Sequence, residues 1–318
     1  MTQTAVLVAT YNGAKNLKGQ LDTIREQTLP ADSVILRDDA STDETVALIK
    51  KYIADYQLTG WQVIENEKNI GWRLNFRQLL LDGLTTNADY FFFSDQDNIW
   101  NLDKNARQIA VMEERPDIDV LSGDIEVKKA SPDVPDLPSW FKYYQFPADE
   151  KISKYPARNA YKSFRVGWSV VMRRSFVELL MRYWLPEYNI THDVIVPVLA
   201  SFLGTGYNLN SVIGTHLLHD SNATGEHLLT LSSPKSVHVA ELYKFVSFYD
   251  VLYQSLTKKN VPAAAEMKAY YDFYQKRYAL AAADKTLPVF AQILSDWRYY
   301  PGMSGRLRDV IFALKRDN

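Results

Sequence analysis

The sequence predicts an α/β fold: a mostly parallel, Rossmann-like sheet flanked by helices, with a helical appendage behind it. Three observations predict it. Short apolar runs alternate with segments of helical periodicity in the N-terminal part, each run closes on a turn rich in Asp, Asn or Gly, and after Gly225 two long stripes of Tyr, Leu and Val replace them. Strands alternating with helices imply right-handed βαβ crossovers and therefore parallel neighbours.

Thr4-Ala5-Val6-Leu7-Val8-Ala9 reads as a buried strand and ends in Thr10-Tyr11-Asn12-Gly13, a turn signal. A helix pattern follows over residues 14–27. Ser33-Val34-Ile35-Leu36-Arg37 reads as the second strand and closes on Asp38-Asp39. The helix over 42–56 opens on Ser41 with Glu44 three residues on, the spacing of a capping box. Trp61-Gln62-Val63-Ile64 reads as the third strand, running into Asn66–Gly71, and a third helix spans 72–84. Tyr90-Phe91-Phe92-Phe93 is the fourth strand, and Ser94-Asp95-Gln96-Asp97 follows it directly.

Ligands of open α/β sheets bind beyond the carboxyl ends of the strands. Tyr11, Asp38, Asp39, Asp95 and Asp97 all fall there. Two aspartates one residue apart offer hard oxygens to Mg2+ or Mn2+, ions that keep positions open for phosphates. Asp117-Ile118-Asp119 has the same spacing but follows Pro116 at a turn, and reads as a solvated loop.

Composition narrows the function. The chain of 318 residues carries 36 basic and 38 acidic side chains, net charge -2, so no broad electropositive field invites nucleic acid. With no cysteine there is no disulfide framework or thiolate metal site. Val6 already belongs to a strand, so no secretory leader is expected. The most apolar later run, Val194–Leu203, contains Pro197 and Ser201 and is far short of the ~18 residues of a membrane span. A cytoplasmic protein is expected. The Gly-rich fingerprints of dehydrogenases and P-loop enzymes are absent.

Together, Val8-Ala9-Thr10-Tyr11-Asn12-Gly13, Arg37-Asp38-Asp39-Ala40-Ser41-Thr42-Asp43, Asn69-Ile70-Gly71 and Ser94-Asp95-Gln96-Asp97-Asn98-Ile99-Trp100 resemble glycosyltransferase family 2, of GT-A fold, and its bacterial rhamnosyltransferase-like members most. Val166–Arg174 resembles the family's acceptor-side strand, Thr191-His192-Asp193 its base motif, and Ala200–Gly204 and His219-Asp220-Ser221-Asn222 also match, so the resemblance covers roughly residues 4 to 225. Two positions depart from the pattern. Asn98 stands where many relatives carry a further Asp, and Val194 where an aromatic is common.

The resemblance implies an inverting, metal-dependent transfer of a sugar from a UDP- or dTDP-sugar to a hydroxyl of a glycan or lipid-linked glycan, in bacterial cell-surface polysaccharide or glycoconjugate synthesis. Asp97 is the direct ligand of Mn2+ or Mg2+; Asp95, nearer the strand, holds the ribose or the ion's waters or ligates it too, and His219 is the candidate third ligand, the alternative being a surface histidine that hydrogen-bonds near Asp220. Tyr11 stacks on the base, and Asp39 accepts the N3–H of uracil or thymine. Asp38 is the alternative acceptor, and both aspartates are equally natural as turn caps before Ser41. Ala9, Thr10, Asn69, Gly71, Gln96 and Arg73 complete the nucleotide set, Arg73 toward base or diphosphate. Asp193 is the base that activates the acceptor hydroxyl, or alternatively the N-cap of a helix entering Pro197. Trp168 and His192 are acceptor-side candidates. A nucleotidyltransferase acting on sugar phosphates and a catalytically silent sugar-nucleotide or glycan-binding protein are the alternatives.

The expected organisation is a catalytic domain over residues 1–225, its nucleotide half 1–115 and its acceptor half 116–225, followed by a helical region over 226–318. A proline-punctuated loop, Ala130–Pro138, precedes Trp140, Phe141, Tyr143, Tyr144 and Phe146, which read either as an acceptor flap or as rings that pack the loop on the core. Val239, Leu242, Val246, Tyr249, Tyr253 and Leu256 form one stripe; Met267, Tyr271, Tyr274, Tyr278 and Ala281 form another, with Lys258–Pro262 as the break. A helical hairpin packed against itself or on the catalytic domain is expected, a homodimer seam being the alternative. In the tail, Arg298, Arg306, Arg308, Lys315 and Arg316 among Tyr299, Tyr300, Leu307, Ile311, Phe312 and Leu314 allow peripheral contact with anionic lipid, the alternative to a solvated helix face.

Overall fold

The computed structural model describes residues 2–134, 136, 146–147, 150–157, 165–219, 230 and 233–315. Trp140, Phe141, Tyr143, Tyr144, Asp220, Ser221, Asn222, Arg316 and the 225/226 boundary lie outside them. The chain divides into two compact units, Met1–Arg182 with Thr191–Asn222, and Tyr183–Ile190 with Ala223–Asn318.

In the first unit the predicted elements appear in order as β1 (Thr4–Thr10), α1 (Leu17–Arg25), β2 (Ser33–Asp38), α2 (Thr45–Asp55), β3 (Trp61–Glu65), α3 (Trp72–Leu84) and β4 (Tyr90–Ser94). Further along come β5 (Ile99–Trp100), α4 (Lys104–Glu114), β6 (Val120–Lys129), β7 (Ile152–Lys154), β8 (Val171–Arg173), α5 (Arg174–Tyr183), α6 (His192–Leu203) and β9 (Gly206–Leu218). The strands form one sheet in the order β3-β2-β1-β4-β8-β6-β9-β5, with β7 beside β9. β3, β2, β1 and β4 run parallel, in a register that pairs Thr10 with Asp38 and Val8 with Ser94. The loops after β1, β2 and β4 therefore leave the sheet side by side.

Burial explains the apolar runs. Ala5 to Val8 and Phe91 to Phe93 are covered completely or nearly so, as in a parallel sheet sheltered on both faces. Leu17, Leu21 and Ile24, spaced by four and three, turn one face of α1 into that core. β8 lies antiparallel between β4 and β6, which tethers the later strands to the parallel half.

Three local expectations change. The Ser41/Glu44 capping box does not form: α2 begins at Thr45 and has no side-chain cap, because the Ser41 hydroxyl donates to Asp38 Oδ1 and accepts the N–H of Asn12. α1 starts later than the periodicity suggests, at Leu17, after a turn in which the amides of Asn16 and Leu17 both reach the Gly13 carbonyl. In α6, Pro197 lies inside the helix rather than in its first turn, and Thr191 rather than Asp193 is the N-cap.

The second unit holds α7 (Lys235–Lys258), α8 (Ala264–Ala282), α9 (Thr286–Ser295) and α10 (Met303–Leu314). α7 packs along α8, and Tyr249 stacks on Tyr270 and Tyr274 at 5.1 Å between ring centroids, so the predicted stripes do meet each other. Among the described residues no helix is long and apolar enough to cross a membrane.

Candidate active site

The loop after β1 is fixed by the loop after β4. The Gln96 side chain accepts the N–H of Tyr11 at 2.9 Å and donates to its carbonyl at 3.0 Å, pairing with that peptide as a neighbouring strand would. Gly13 makes this possible, since a Cβ there would stand 2.1 Å from Gln96 Oε1. The Tyr11 ring itself is 46% exposed and free to present a face. Gln96, expected to touch the nucleotide, thus spends both amide groups on positioning.

Asp38 and Asp39 part company. The Asp38 carboxylate is buried and receives Thr10 Oγ1, the Ser41 amide and the Ser41 hydroxyl. It is a turn holder. Asp39 accepts from Asn66 Nδ2, Ile70 N–H and Gly71 N–H, each at 2.8 Å, while Asn69 Nδ2 donates to its carbonyl. A carboxylate offers about four acceptor positions, so Asp39 keeps about one for a ligand. Asn69 and Gly71 form the wall that holds it, and Ala9 and Thr10 contribute the strand end beneath.

The loop after β4 collects the acidic groups. His219, at the end of β9, places Nε2 at 2.8 Å from Asp97 Oδ2 and at 3.3 Å from Asn16 Nδ2. Asp95 is partly buried beside them; desolvation first, then the charges of Asp97 and Asp193, push its carboxyl well above the usual range, while Asn98 Nδ2 at 3.2 Å works the other way. His216 Nδ1 donates in turn to Asn98 Oδ1 at 2.8 Å. Asn98, which costs the loop a carboxylate, therefore serves as a neutral bridge between His216 and Asp95.

Asp193 stands in the first turn of α6, where free N–H groups favour a carboxylate. Burial dominates nonetheless and raises it to about 7, against smaller lowering effects of its own amide and of Arg73. Its Oδ1 is buried with no hydrogen-bond partner among the described residues. The charge of Asp193 adds to the rise of Asp95. Arg73 links α3 to this helix, donating from Nε to Thr191 Oγ1 at 3.0 Å with its guanidinium over the Trp72 ring.

The two acceptor-side candidates lie in the core. His192 is buried against Phe76, 3.8 Å between ring centroids, with Phe93 and Trp72 beside it, and burial lowers it to about 3. Trp168 is fully buried. Neither presents a face to a ligand, so both act by packing; a Cβ on Gly167 would stand 2.2 Å from His192 Nε2, which ties the two segments together. Asp117, read as a loop residue, is paired twice with Arg115 at 2.8 Å.

The donor set suits a hard divalent ion: carboxylate oxygens and an imidazole at the edge of an acidic cluster in which burial, then the neighbouring carboxylates, raise Asp95. The expected three ligands do not converge ready-made. Among the described residues no three His, Asp or Glu side chains surround one ion position. Asp97 and His219 meet, and Asp95 stays one layer behind. Asn16 and His216 had no reading in the sequence, and Asn66 and Thr191 stood in the quoted runs without a role of their own, because each acts on a residue far along the chain; His216, three positions before His219, alone carried a further signal.

Residues 5–180 match the family described as Glycosyl transferase family 2. Over 97 residues the chain is 37% identical to the dTDP-rhamnosyl transferase RfbG of Shigella flexneri, a stretch covering 30% of this chain and 34% of that protein, so the match spans about a third of the relative's length. The fold is similar to that of residues 1–349 of S. aureus TarS in complex with UDP, with TM-score 0.57 and 16% identity over 98% of this chain and 89% of that one. It is also similar to the mannosyltransferase PcManGT of Pyrobaculum calidifontis in complex with GDP-Man and Mn2+, with TM-score 0.51 and 15% identity over 98% and 86% of the two chains. With strand-end loops, acidic cluster and family match in agreement, this α/β chain, GT-A in fold, belongs to glycosyltransferase family 2.

Proposed function

We propose that the chain is an inverting, metal-dependent glycosyltransferase that moves a sugar from a UDP- or dTDP-sugar to a hydroxyl of a glycan or lipid-linked glycan. The observation that carries this reading is Asp193: a partly buried carboxyl with one oxygen fully enclosed, raised to about 7 by desolvation, whose charge acts on Asp95 beside Asp97 and His219. A general base works best with a pKa near the operating pH. The dTDP-rhamnosyl transferase relative supports a pyrimidine nucleotide, whereas the structures of similar fold hold UDP in one case and GDP-Man in another.

In this account residues 1–115 bind the nucleotide. Tyr11, held by Gln96, stacks on the base; Asp39, oriented by Asn66 and the amides of Ile70 and Gly71, uses its remaining acceptor position on the base N3–H. Asp97 and His219 would hold Mn2+ or Mg2+, with Asp95 steadying the site from behind or holding the ribose. When bound, such an ion neutralises charge on the departing diphosphate. Residues 116–225 receive the acceptor. Asp193 takes the hydroxyl proton as the oxygen attacks the anomeric carbon opposite the diphosphate, which inverts that centre. Arg73 and His192 fix the start of α6, Arg73 through Thr191 and His192 through its neighbouring rings.

The test is hydrolysis of a panel of UDP- and dTDP-sugars with Mn2+ and no acceptor, followed by proton NMR. The expected result is cleavage of at least one donor, with the first-formed sugar inverted at its anomeric carbon. A retained anomer, or cleavage of no donor, would overturn the proposal.

A further inference from the structure

We propose that the outer faces of α9 and α10, with Trp297 between them, dock on an anionic lipid bilayer. Leu287 is 80% exposed, Leu294 77%, Met303 66%, Leu314 61% and Leu307 59%, and no other large apolar side chain among the described residues is more than half exposed. Their spacing makes faces of them. Leu287, Phe290 and Leu294 share one side of α9, opposite the buried Val289, Gln292 and Ile293; Met303, Leu307 and Leu314 share one side of α10, away from the buried Asp309 and Phe312. The aromatic and aliphatic residues that composition alone assigned to this surface are partly inside: Tyr300 and Phe312 are buried, so the lipid-facing set is different from the one the tail sequence suggests.

Arg306 lies over the Trp297 ring at 3.4 Å and donates from Nη2 to the Trp297 carbonyl, so the indole is held in place at the surface between the two helices. A half-exposed indole is suited to the boundary between headgroups and acyl chains. α9 has 10 residues and α10 has 12, too short to cross a bilayer and long enough to lie in its interface.

Charge selects the occupant. Residues 285–315 carry Lys285, Arg298, Arg306, Arg308 and Lys315 against only Asp296 and Asp309. Both acids are already engaged, Asp296 with Lys276 at 2.9 Å and Asp309 with Arg277 in a buried pair. A two-fold contact with a second copy would set the same basic residues against each other. An anionic headgroup layer complements them, and each basic residue near it adds to binding.

The experiment is co-sedimentation of the full chain with vesicles of phosphatidylcholine alone and of phosphatidylcholine with phosphatidylglycerol. Two variants accompany it: Leu287→Ser/Leu294→Ser/Leu307→Ser, and Arg298→Glu/Arg308→Glu. The wild type is expected to bind the phosphatidylglycerol vesicles at least tenfold more strongly than the neutral ones. Both variants should lose that binding at least tenfold, while donor cleavage in solution is unchanged, since these residues lie outside the catalytic machinery. The arginine variant leaves every apolar residue in place, giving up only the contact of Arg298 with Tyr299, and keeps the test decisive if the serine variant fails to fold. No preference for the anionic vesicles, or binding unaffected by the arginine variant, would overturn the proposal. So would a dimer, seen by light scattering, that the serine variant disperses while vesicles bind nothing.

Discussion

His219 Nε2 lies 2.8 Å from Asp97 Oδ2, joining the end of β9 to the loop after β4 across 122 positions of sequence. Each residue alone is an ordinary surface candidate. Together they put an imidazole and a carboxylate at the mouth of an acidic cluster. His219→Ala should weaken Mn2+ binding, read by electron paramagnetic resonance in the presence of UDP or dTDP, by tenfold or more. Unchanged binding would remove His219 from the ligand set.

Asp193 gives a pH dependence of defined sign. Its carboxyl is raised from about 4 in an unfolded chain to about 7 in the fold. The fold therefore holds the proton more tightly, so this group's contribution to stability is full below pH of about 4 and is lost as pH rises through about 7. The base must be ionised, so the transfer rate should rise with pH over the upper part of the same window. Asp193→Asn should lower transfer by roughly 10²-fold or more with nucleotide affinity retained, and should raise the melting temperature at pH above 7, where the wild type carries a buried charge. A residue that merely capped α6 would give near-normal transfer.

Asn98 was a departure from the family pattern whose meaning the structure supplies. Its amide accepts from His216 and donates to Asp95. Asn98→Asp replaces that donor by a second carboxylate against a buried one, so the metal-free protein should melt at a lower temperature than wild type, and Mn2+ should recover much of the difference. Equal melting with and without Mn2+ would contradict the bridge.

Gly13 and Gln96 form a pair that a double-mutant cycle can resolve. Gly13→Ala drives a Cβ into Gln96 Oε1, and Gln96→Ala removes the two bonds that hold Tyr11. Each should weaken UDP or dTDP binding several-fold by calorimetry, and the double variant should be little worse than either. Strictly additive losses would mean that Gln96 acts on the nucleotide by another route.

In the helical unit, Asp309 is buried and accepts two bonds from Arg277 and one from Tyr300. Asp309→Ala leaves the guanidinium without its carboxylate, a change that costs about 3–5 kcal/mol in buried pairs. Urea denaturation should show a loss of that order; a loss under about 1 kcal/mol would place the pair in effective contact with solvent.

The parallel half of the sheet was legible because β1, β2 and β4 are buried on both faces and so read as unbroken apolar runs, each closed by its own polar turn. Asp95 and Asp97 were legible because of where a strand ends. Ser41 misled: the Ser-x-x-Glu spacing is local, but the hydroxyl was taken by Asp38, a tertiary contact no window of sequence reveals. His192 misled for the same reason, a polar type whose burial depends on rings brought in from α3 and β4, and Trp168 because its own burial involves Gly214, far along the chain. The stripes of α7 and α8 were plain, whereas the exposed leucines of α9 and α10 emerge only once the buried side of each helix is known.

In the proposed function the strand-end cluster around Asp97 turns over a sugar nucleotide with the help of a divalent ion. The direct measurement is release of nucleoside diphosphate from UDP- and dTDP-sugars by the wild type and by Asp97→Ala, each with Mn2+ and with EDTA. Release is expected from the wild type with Mn2+ alone, and none from Asp97→Ala under either condition while its melting temperature stays within a few degrees of wild type. Equal release by both proteins in EDTA would contradict the proposed function.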